Sequence, residues 1–351
     1  MVDRPAAGPT PRRAALIGHA SHLPARRLTN AELAQEFEGA TASDIERKTG
    51  IAARAVAEQD EFASDMAERC SRALLDRLQV DPSLVNCVIL TTMTPDYAIP
   101  STASQLHRSL GLAPRAGAMD VALGCAGYTY CLALAAALVE SGRSDVVLVV
   151  TAERMTAYTE TTALATKALF GDAATASLVA EAAVDSIPEA LPRGLLGPSA
   201  FGTEGAVDGL VVRGSGLRGH LARVAGDRSR AMLEMDGPAV FDFTLRVIGR
   251  HIEDFLEQQG LGVADVDLFV LHQANGFMLG HLRRRLKIPQ ERFFVHLEEV
   301  GNTVSSTIPL ALEEAHARGR IADGDRVLLC GFGVGFSWSS ILVDYVDDVE
   351  G

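Results

Sequence analysis

VNCVIL, residues 85–90, and DVVLVV, residues 145–150, are short apolar runs rich in β-branched side chains. Runs of this kind, bounded by turns or amphipathic stretches, are the signature of buried central strands in an α/β protein. The pair returns in the second half of the chain as VDLFVL (266–271) and DRVLL (325–329). Leu90 precedes Leu148 by 58 residues, and Leu271 precedes Leu329 by the same 58. Each half then closes with one more apolar strand after a glycine-bearing turn. Gly171-Asp172 leads into ATASLVA (174–180), and GFGVGFSW (331–338) leads into SSILVDY (339–345). The chain therefore reads as an internal duplication, with an N-terminal half over 14–180 and a C-terminal half over 232–351. Between them, 181–231 is rich in Gly, Pro, Arg and Ala without sustained periodicity and reads as a long surface excursion.

The remaining composition narrows the class. With 351 residues, 48% hydrophobic and 22% charged, the chain can bury one large core or two smaller ones. A formal charge of −13 argues against nucleic acid as a partner. The longest apolar run, Cys131 to Val139, is nine residues, well short of the roughly 20 that span a bilayer. Arg4, Arg12 and Arg13 precede an apolar stretch that meets His19 too soon for a signal-peptide core, so 1–13 reads as a mobile tail on a cytoplasmic protein. Five cysteines without CxxC or zinc-ligand spacing indicate neither a disulfide frame nor a metal site.

Three residues stand where a duplicated α/β chain gathers its site, on loops leaving the C-terminal ends of strands. Cys125 lies in LGCAGY (123–128), between a short apolar run and an Ala- and Leu-rich helical stretch. A thiol at a helix N-terminus is favoured as thiolate, and Gly124 and Gly127 would admit a substrate close to the backbone. Most free cysteines, however, are simply small buried hydrophobes. His272 ends VDLFVLH and opens QAN; a lone histidine there is most often a satisfied structural one. Asn302, in GNTVSSTIP, lies 31 residues beyond Leu271 much as Cys125 lies 35 beyond Leu90. It thus occupies the second half's counterpart of the cysteine turn, although an Asn before a helix is commonly an N-cap. Together the three say more than each alone. A thiolate can accept an acyl group from a thioester, and a neutral imidazole and an amide can donate hydrogen bonds to a developing oxyanion.

On GCAGY, LHQAN, GNTVSSTIP and GFGVGFSW, in this order and spacing, the sequence resembles the thiolase superfamily, specifically β-ketoacyl-acyl carrier protein synthase III and its relatives, over about residues 14–347. RKTGI (47–51), IPST (99–102), LFGDAA (169–174) and MDGPAVF (235–241) are weaker echoes. The resemblance implies an α/β, five-layer αβαβα fold of two duplicated halves about a pseudo-twofold axis, usually as a homodimer. It implies Cys125 as acyl acceptor, His272 and Asn302 serving the condensation, and backbone N–H groups of Cys125 and Val334 facing the first oxyanion. No cofactor is implied; coenzyme A or phosphopantetheine thioesters, one acyl and one malonyl, are substrates, with an acyl carrier protein as partner. Lys48, Ile99, Asn275 and Phe277 fall at substrate-binding positions.

Some of these positions depart from the family pattern. Asp44 stands where many relatives stack a tryptophan on the adenine of coenzyme A, and Lys48 replaces a usual arginine. Phe277 replaces an arginine implicated in carrier docking, with HLRRRLK (281–287) following; that run is either a docking patch or a solvated helix face. Ile99 replaces a phenylalanine that closes the acyl pocket across the dimer, which suggests a primer larger than acetyl and a specialised pathway. An acyltransferase of the same fold, delivering the acyl group to a hydroxyl or amine, is the alternative; such relatives often carry Asp in place of Asn302, as a base. Thiolase chemistry would need a second active cysteine, and Cys330 reads as core. A non-catalytic partner subunit would have lost the nucleophile.

Overall fold

The computed structural model describes residues 12–159, 163–183, 193–206, 208–224, 232–333 and 335–346. Nine strands form the central sheet. From one edge they run Gly117–Val121, Cys87–Thr91, Val146–Glu153, Ala173–Glu181, Ala14–His22, Arg193–Ala206, Gly335–Val346, Arg326–Gly333 and Leu268–Leu271. The four apolar runs that betray the duplication are all strands of this sheet. Val88 pairs with Leu148 and Val270 with Leu329, in both cases in parallel. Outward from the seam each half repeats two antiparallel pairings followed by a parallel one. The strand Gly117–Val121 at one edge has as counterpart a single parallel bridge from Phe269 to Phe293.

Alternation of side chains across each strand divides the apolar residues among layers. Val88, Leu90, Leu148 and Val150 face one outer layer, formed by the helices Ala63–Arg77 and Thr102–Leu110. Ile89, Val147, Val149, Val270, Leu329 and Ile341 face inward onto the helices Gly127–Glu140 and Thr307–Ala317. Phe269, Leu271, Leu328 and Leu342 face the second outer layer, with Gly249–Gln258 and Gly276–Arg285. With each half of the sheet counted as a layer beside the shared inner helices, the order helix, sheet, helix, sheet, helix is the five-layer arrangement. It also explains why residues 127–139 are uncharged all round: with sheet on both sides most of this helix is buried, and Leu134 and Ala137 are its exposed positions.

One expectation is corrected. The stretch read as a surface excursion contains Arg193–Ala206, a 14-residue strand at the middle of the sheet. Its glycines and proline hid it. A Cβ on Gly194 would lie 2.6 Å from Val343 Cγ1, and one on Gly202 would enter the Trp338 indole, so these glycines serve close packing. Gly197 and Pro198 lie in a bulge opposite Leu342, where register shifts, a place where a proline costs no ladder bond. The tail over 1–13 falls almost wholly outside the described residues. Among them no helix is long and apolar enough to cross a membrane, and no cluster of three or more His, Cys, Asp or Glu is placed to hold a metal.

Candidate active site

Cys125 sits in the turn between the edge strand Gly117–Val121 and the central helix Gly127–Glu140, and it is buried. The turn is fixed from two sides. Thr91 Oγ1 donates to the Leu123 carbonyl at 2.5 Å, and Thr91 also fills the space that a side chain at Gly127 would need. From the other half, Gly331 and Gly333 bring a strand directly against the nucleophile. A Cβ on Gly331 would be 2.8 Å from Ala126 Cα, and one on Gly333 would be 2.7 Å from Cys125 Cβ and 2.8 Å from its Sγ.

His272 follows the last residue of its strand, and its N–H donates to the Cys330 carbonyl at 2.9 Å. Its ring is buried edge-on to Phe332, with Nδ1 2.7 Å from Thr307 Oγ1. Burial pulls its pKa down to about 3, against the opposing pull of the Val304 carbonyl, so the ring is neutral near pH 7. Asn302 is held by its backbone to the first half: its N–H donates to Leu169 O at 2.8 Å, and its carbonyl accepts from Gly171 N–H at 3.0 Å. Its Oδ1 accepts the Val304 N–H at 2.9 Å and Nδ2 donates to Ala274 O at 3.3 Å. One Nδ2 proton is left for the cavity.

Cys125, His272 and Asn302 line the same cavity, about 100 Å³, together with Leu169, Phe332 and Gly333. Asn275 lines it too, and caps the helix Gly276–Arg285 through a 2.8 Å bond from Met278 N–H. Beyond Cys125 lies a second, apolar cavity of about 210 Å³, walled by Met93, Met155, Tyr158, Leu210, Leu233 and Val304. On the outer side, Leu169 is shared with a wider mouth of about 410 Å³ that Lys48 and Asp44 line. The first two cavities meet at Cys125, and the mouth adjoins the first of them through Leu169.

The other sequence-derived positions are scattered. Ile99 is 89% exposed and lines none of these cavities within its own chain. Phe277 is 60% exposed and packs against Phe241 at 5.5 Å. Val334 lies outside the described residues. Cys330 is a fully buried strand thiol pushed up to about 12 by burial. His19, His22 and His107 bond to Ser177, Glu61 and the Ala113 carbonyl, none of which lines the cavity beside Cys125.

Two groups that sequence reading passed over hold the site. Arg54, fully buried, donates to the carbonyls of Leu28 and Ala168 and to Asn30 Oδ1, while its stem packs beneath Gly171 and Gly301. Burial lowers its pKa to about 10. Glu153, at the end of its strand, accepts from Ser305 Oγ at 2.7 Å and Met93 N–H at 3.0 Å, joining the walls of the apolar cavity across the two halves. Burial raises its pKa to about 7, against those hydrogen bonds. A carboxyl whose folded pKa is raised stabilises the fold below its unfolded pKa, and that contribution is lost as pH rises through 7. Chemical denaturation at pH 5 and pH 8 should therefore show a loss for the parent protein that Glu153→Gln lacks, on the order of 3 kcal/mol. Parallel pH dependence in both proteins would contradict this assignment.

Comparison with known proteins agrees with this geometry. The family model for 3-oxoacyl-[acyl-carrier-protein] synthase III matches residues 119–190, and that for its C-terminal part matches residues 256–345. A β-ketoacyl-[acyl-carrier-protein] synthase III from Streptomyces coelicolor is 37% identical over 331 residues, covering 94% of this chain and 96% of the relative. One from Rhodopirellula baltica is 34% identical over 338 residues, covering 93% and 97%. A solved 3-oxoacyl-(acyl-carrier-protein) synthase III superposes with a TM-score of 0.87 at 41% identity, over 95% of this chain and 99% of its own. The priming β-ketosynthase of the R1128 polyketide pathway does so at 0.85 and 33%, over 98% and 99%. With a buried cysteine, histidine and asparagine meeting at one cavity inside this five-layer fold, the chain belongs to the β-ketoacyl-[acyl-carrier-protein] synthase III family of condensing enzymes.

Proposed function

We propose that the protein joins an acyl primer to a malonyl thioester. The observation that carries this reading is the placement of Cys125 where two cavities meet, one of them bearing His272 and Asn302. The primer chain occupies the apolar cavity. The Cys125 thiolate attacks its thioester carbonyl, the oxyanion faces the backbone N–H of Cys125 and, by motif position, that of Val334, and the thiol carrier leaves. The malonyl thioester then enters the outer cavity and loses carbon dioxide. Its enolate oxygen is held by hydrogen bonds from His272 and Asn302. The enolate carbon attacks the acyl–Cys125 carbonyl, and collapse of the adduct frees the thiolate and a β-ketoacyl thioester.

Asn302 offers a donor and no base, which favours carbon–carbon bond formation over transfer to a hydroxyl or amine. The apolar cavity suits a primer longer than acetyl, and the protein acts as a homodimer in which Ile99 of one subunit approaches the other's primer chamber. Among the described residues no aromatic side chain lines the mouth to stack on adenine, and a carrier-protein thioester is its substrate. Of the basic run 281–287, Arg284, Arg285 and Lys287 are exposed and would face such a carrier, Arg285 with its guanidinium on Glu253, while Arg283 bonds to the Ile288 carbonyl.

Intact-protein mass after incubation with a chain-length series of acyl thioesters, on coenzyme A and on carrier protein, tests the reading. The expected result is a Cys125-dependent adduct, absent in Cys125→Ala, that favours primers of four or more carbons. Malonyl thioester should discharge it with release of carbon dioxide. An adduct confined to acetyl would overturn the primer assignment. Discharge only by an alcohol or amine would replace condensation by acyl transfer.

A further inference from the structure

The motif that supplies Asn302 also supplies a group aimed at His272. Thr307 opens the buried helix Thr307–Ala317, and its hydroxyl lies 2.7 Å from His272 Nδ1 and 3.0 Å from the Val304 carbonyl. The hydroxyl has one proton and two acceptors within reach. The Val304 carbonyl already accepts the backbone N–H of Thr307, so it is satisfied without the hydroxyl. The Val304 N–H, the other group of that peptide neighbourhood, is taken by Asn302 Oδ1.

A buried, neutral imidazole carries its single proton on one nitrogen, and the hydrogen bond at Nδ1 decides which. If the threonine hydroxyl donates to Nδ1, Nε2 carries the proton and faces the cavity as a donor. If the hydroxyl turns to Val304, Nδ1 must donate to Oγ1, and Nε2 presents a lone pair that repels an enolate oxygen. The 2.7 Å contact at Nδ1 fits either direction, and the Val304 carbonyl also lies beside the ring; the need for a donor toward the enolate oxygen selects the first arrangement.

We propose that Thr307 is a positioning residue that sets the tautomer of His272: its hydroxyl donates to Nδ1 and keeps the ring proton on Nε2, where the enolate oxygen is held. The inference rests on the condensation reading, which selects between two arrangements of the same contacts. Thr307→Val has nearly the same volume and removes the hydroxyl. Nδ1 then has the Val304 carbonyl as its remaining neighbour, which draws the proton to the wrong nitrogen. In another enzyme class, leaving a catalytic histidine in the wrong tautomer lowers kcat by about 10⁴; a loss of about a hundredfold is expected here, because Asn302 still holds the enolate.

The test combines kinetics with ring ¹⁵N shifts in histidine-labelled protein, the His272 signals being identified by their loss in His272→Ala. In the parent protein Nδ1 should be unprotonated and Nε2 protonated. In Thr307→Val the two should exchange, decarboxylation should fall in kcat with little change in KM, and Cys125 loading should stay within about twofold. Thr307→Ser should restore both signals and rate. A protonated Nδ1 in the parent protein overturns the proposal without any variant. So does Thr307→Val with unchanged shifts. If the parent protein shows the expected tautomer but does not decarboxylate malonyl thioester, the condensation reading fails and the tautomer assignment stands.

Discussion

Asn302→Asp should lower malonyl decarboxylation by two to three orders of magnitude, as loss of one oxyanion donor does elsewhere (about 10²–10³), while Cys125 still takes up its acyl group. The substitution keeps the bond from Val304 N–H, since that partner is an oxygen in either residue. It replaces Nδ2, which now donates to Ala274 O, by a second oxygen. That oxygen meets the Ala274 carbonyl as acceptor against acceptor. Toward the cavity, a donor becomes a negative charge facing another negative charge. Protonating the introduced carboxyl returns a donor, so the variant's decarboxylation rate should climb as pH is lowered. Carbon dioxide release and intact-protein mass, followed on one sample, separate the two half-reactions. Equal loss of both would remove Asn302 from the second step.

Gly333→Ala should reduce acyl loading by about a thousandfold, because displacing a nucleophile by an ångström already costs about 10²-fold and here the thiol itself must leave its place. The new methyl would stand 2.7 Å from Cys125 Cβ and 2.8 Å from Sγ, with Cα 3.9 Å away. A cysteine has one side-chain torsion, so relief comes by turning the thiol out of line or by shifting the strand. Gly331→Ala meets other atoms, Ala126 Cα and Thr129 Oγ1 at 2.8 Å and Cys125 O at 2.9 Å, and not the thiol. Mass spectrometry of the adduct, alongside thermal unfolding, reads the difference. Near-normal loading in Gly333→Ala would show that the strand yields easily, and would contradict the fixed setting of the nucleophile.

How much of this was visible in the amino-acid sequence follows from the range of the interactions. The strands at 87–91, 146–153, 268–271 and 326–333 could be read because β-branched runs buried on both faces repeat at the same spacing. Cys125, His272 and Asn302 could be read because each ends a strand or opens a helix in a recurring plan. The strand 193–206 could not, since its glycines answer to Val343, Tyr345 and Trp338, far along the chain. Nor could Glu153 and Arg54. A carboxylate at a strand end and an arginine in a four-residue strand look solvated until Ser305, Met93 and Ala168 arrive around them. The apolar cavity beyond Cys125 is walled from several distant segments, and no local pattern marks it.

The bonds that cross between the halves cluster around the thiol. Asn302 is tied to Leu169 and Gly171, Ser305 to Glu153, Ser306 to Thr151, and Ser339 to Thr129. The sheet seam itself pairs Ala15 with Leu195 and Leu16 with Gly194. Among the described residues, walls sewn together in this way hold their spacing as a bore and not as a pair of jaws. On the proposed reading, a reactant reaches Cys125 lengthwise, a slender arm carrying its thioester at the tip, while the bulk of its carrier waits outside. Exclusion by girth then acts before any chemical selection does.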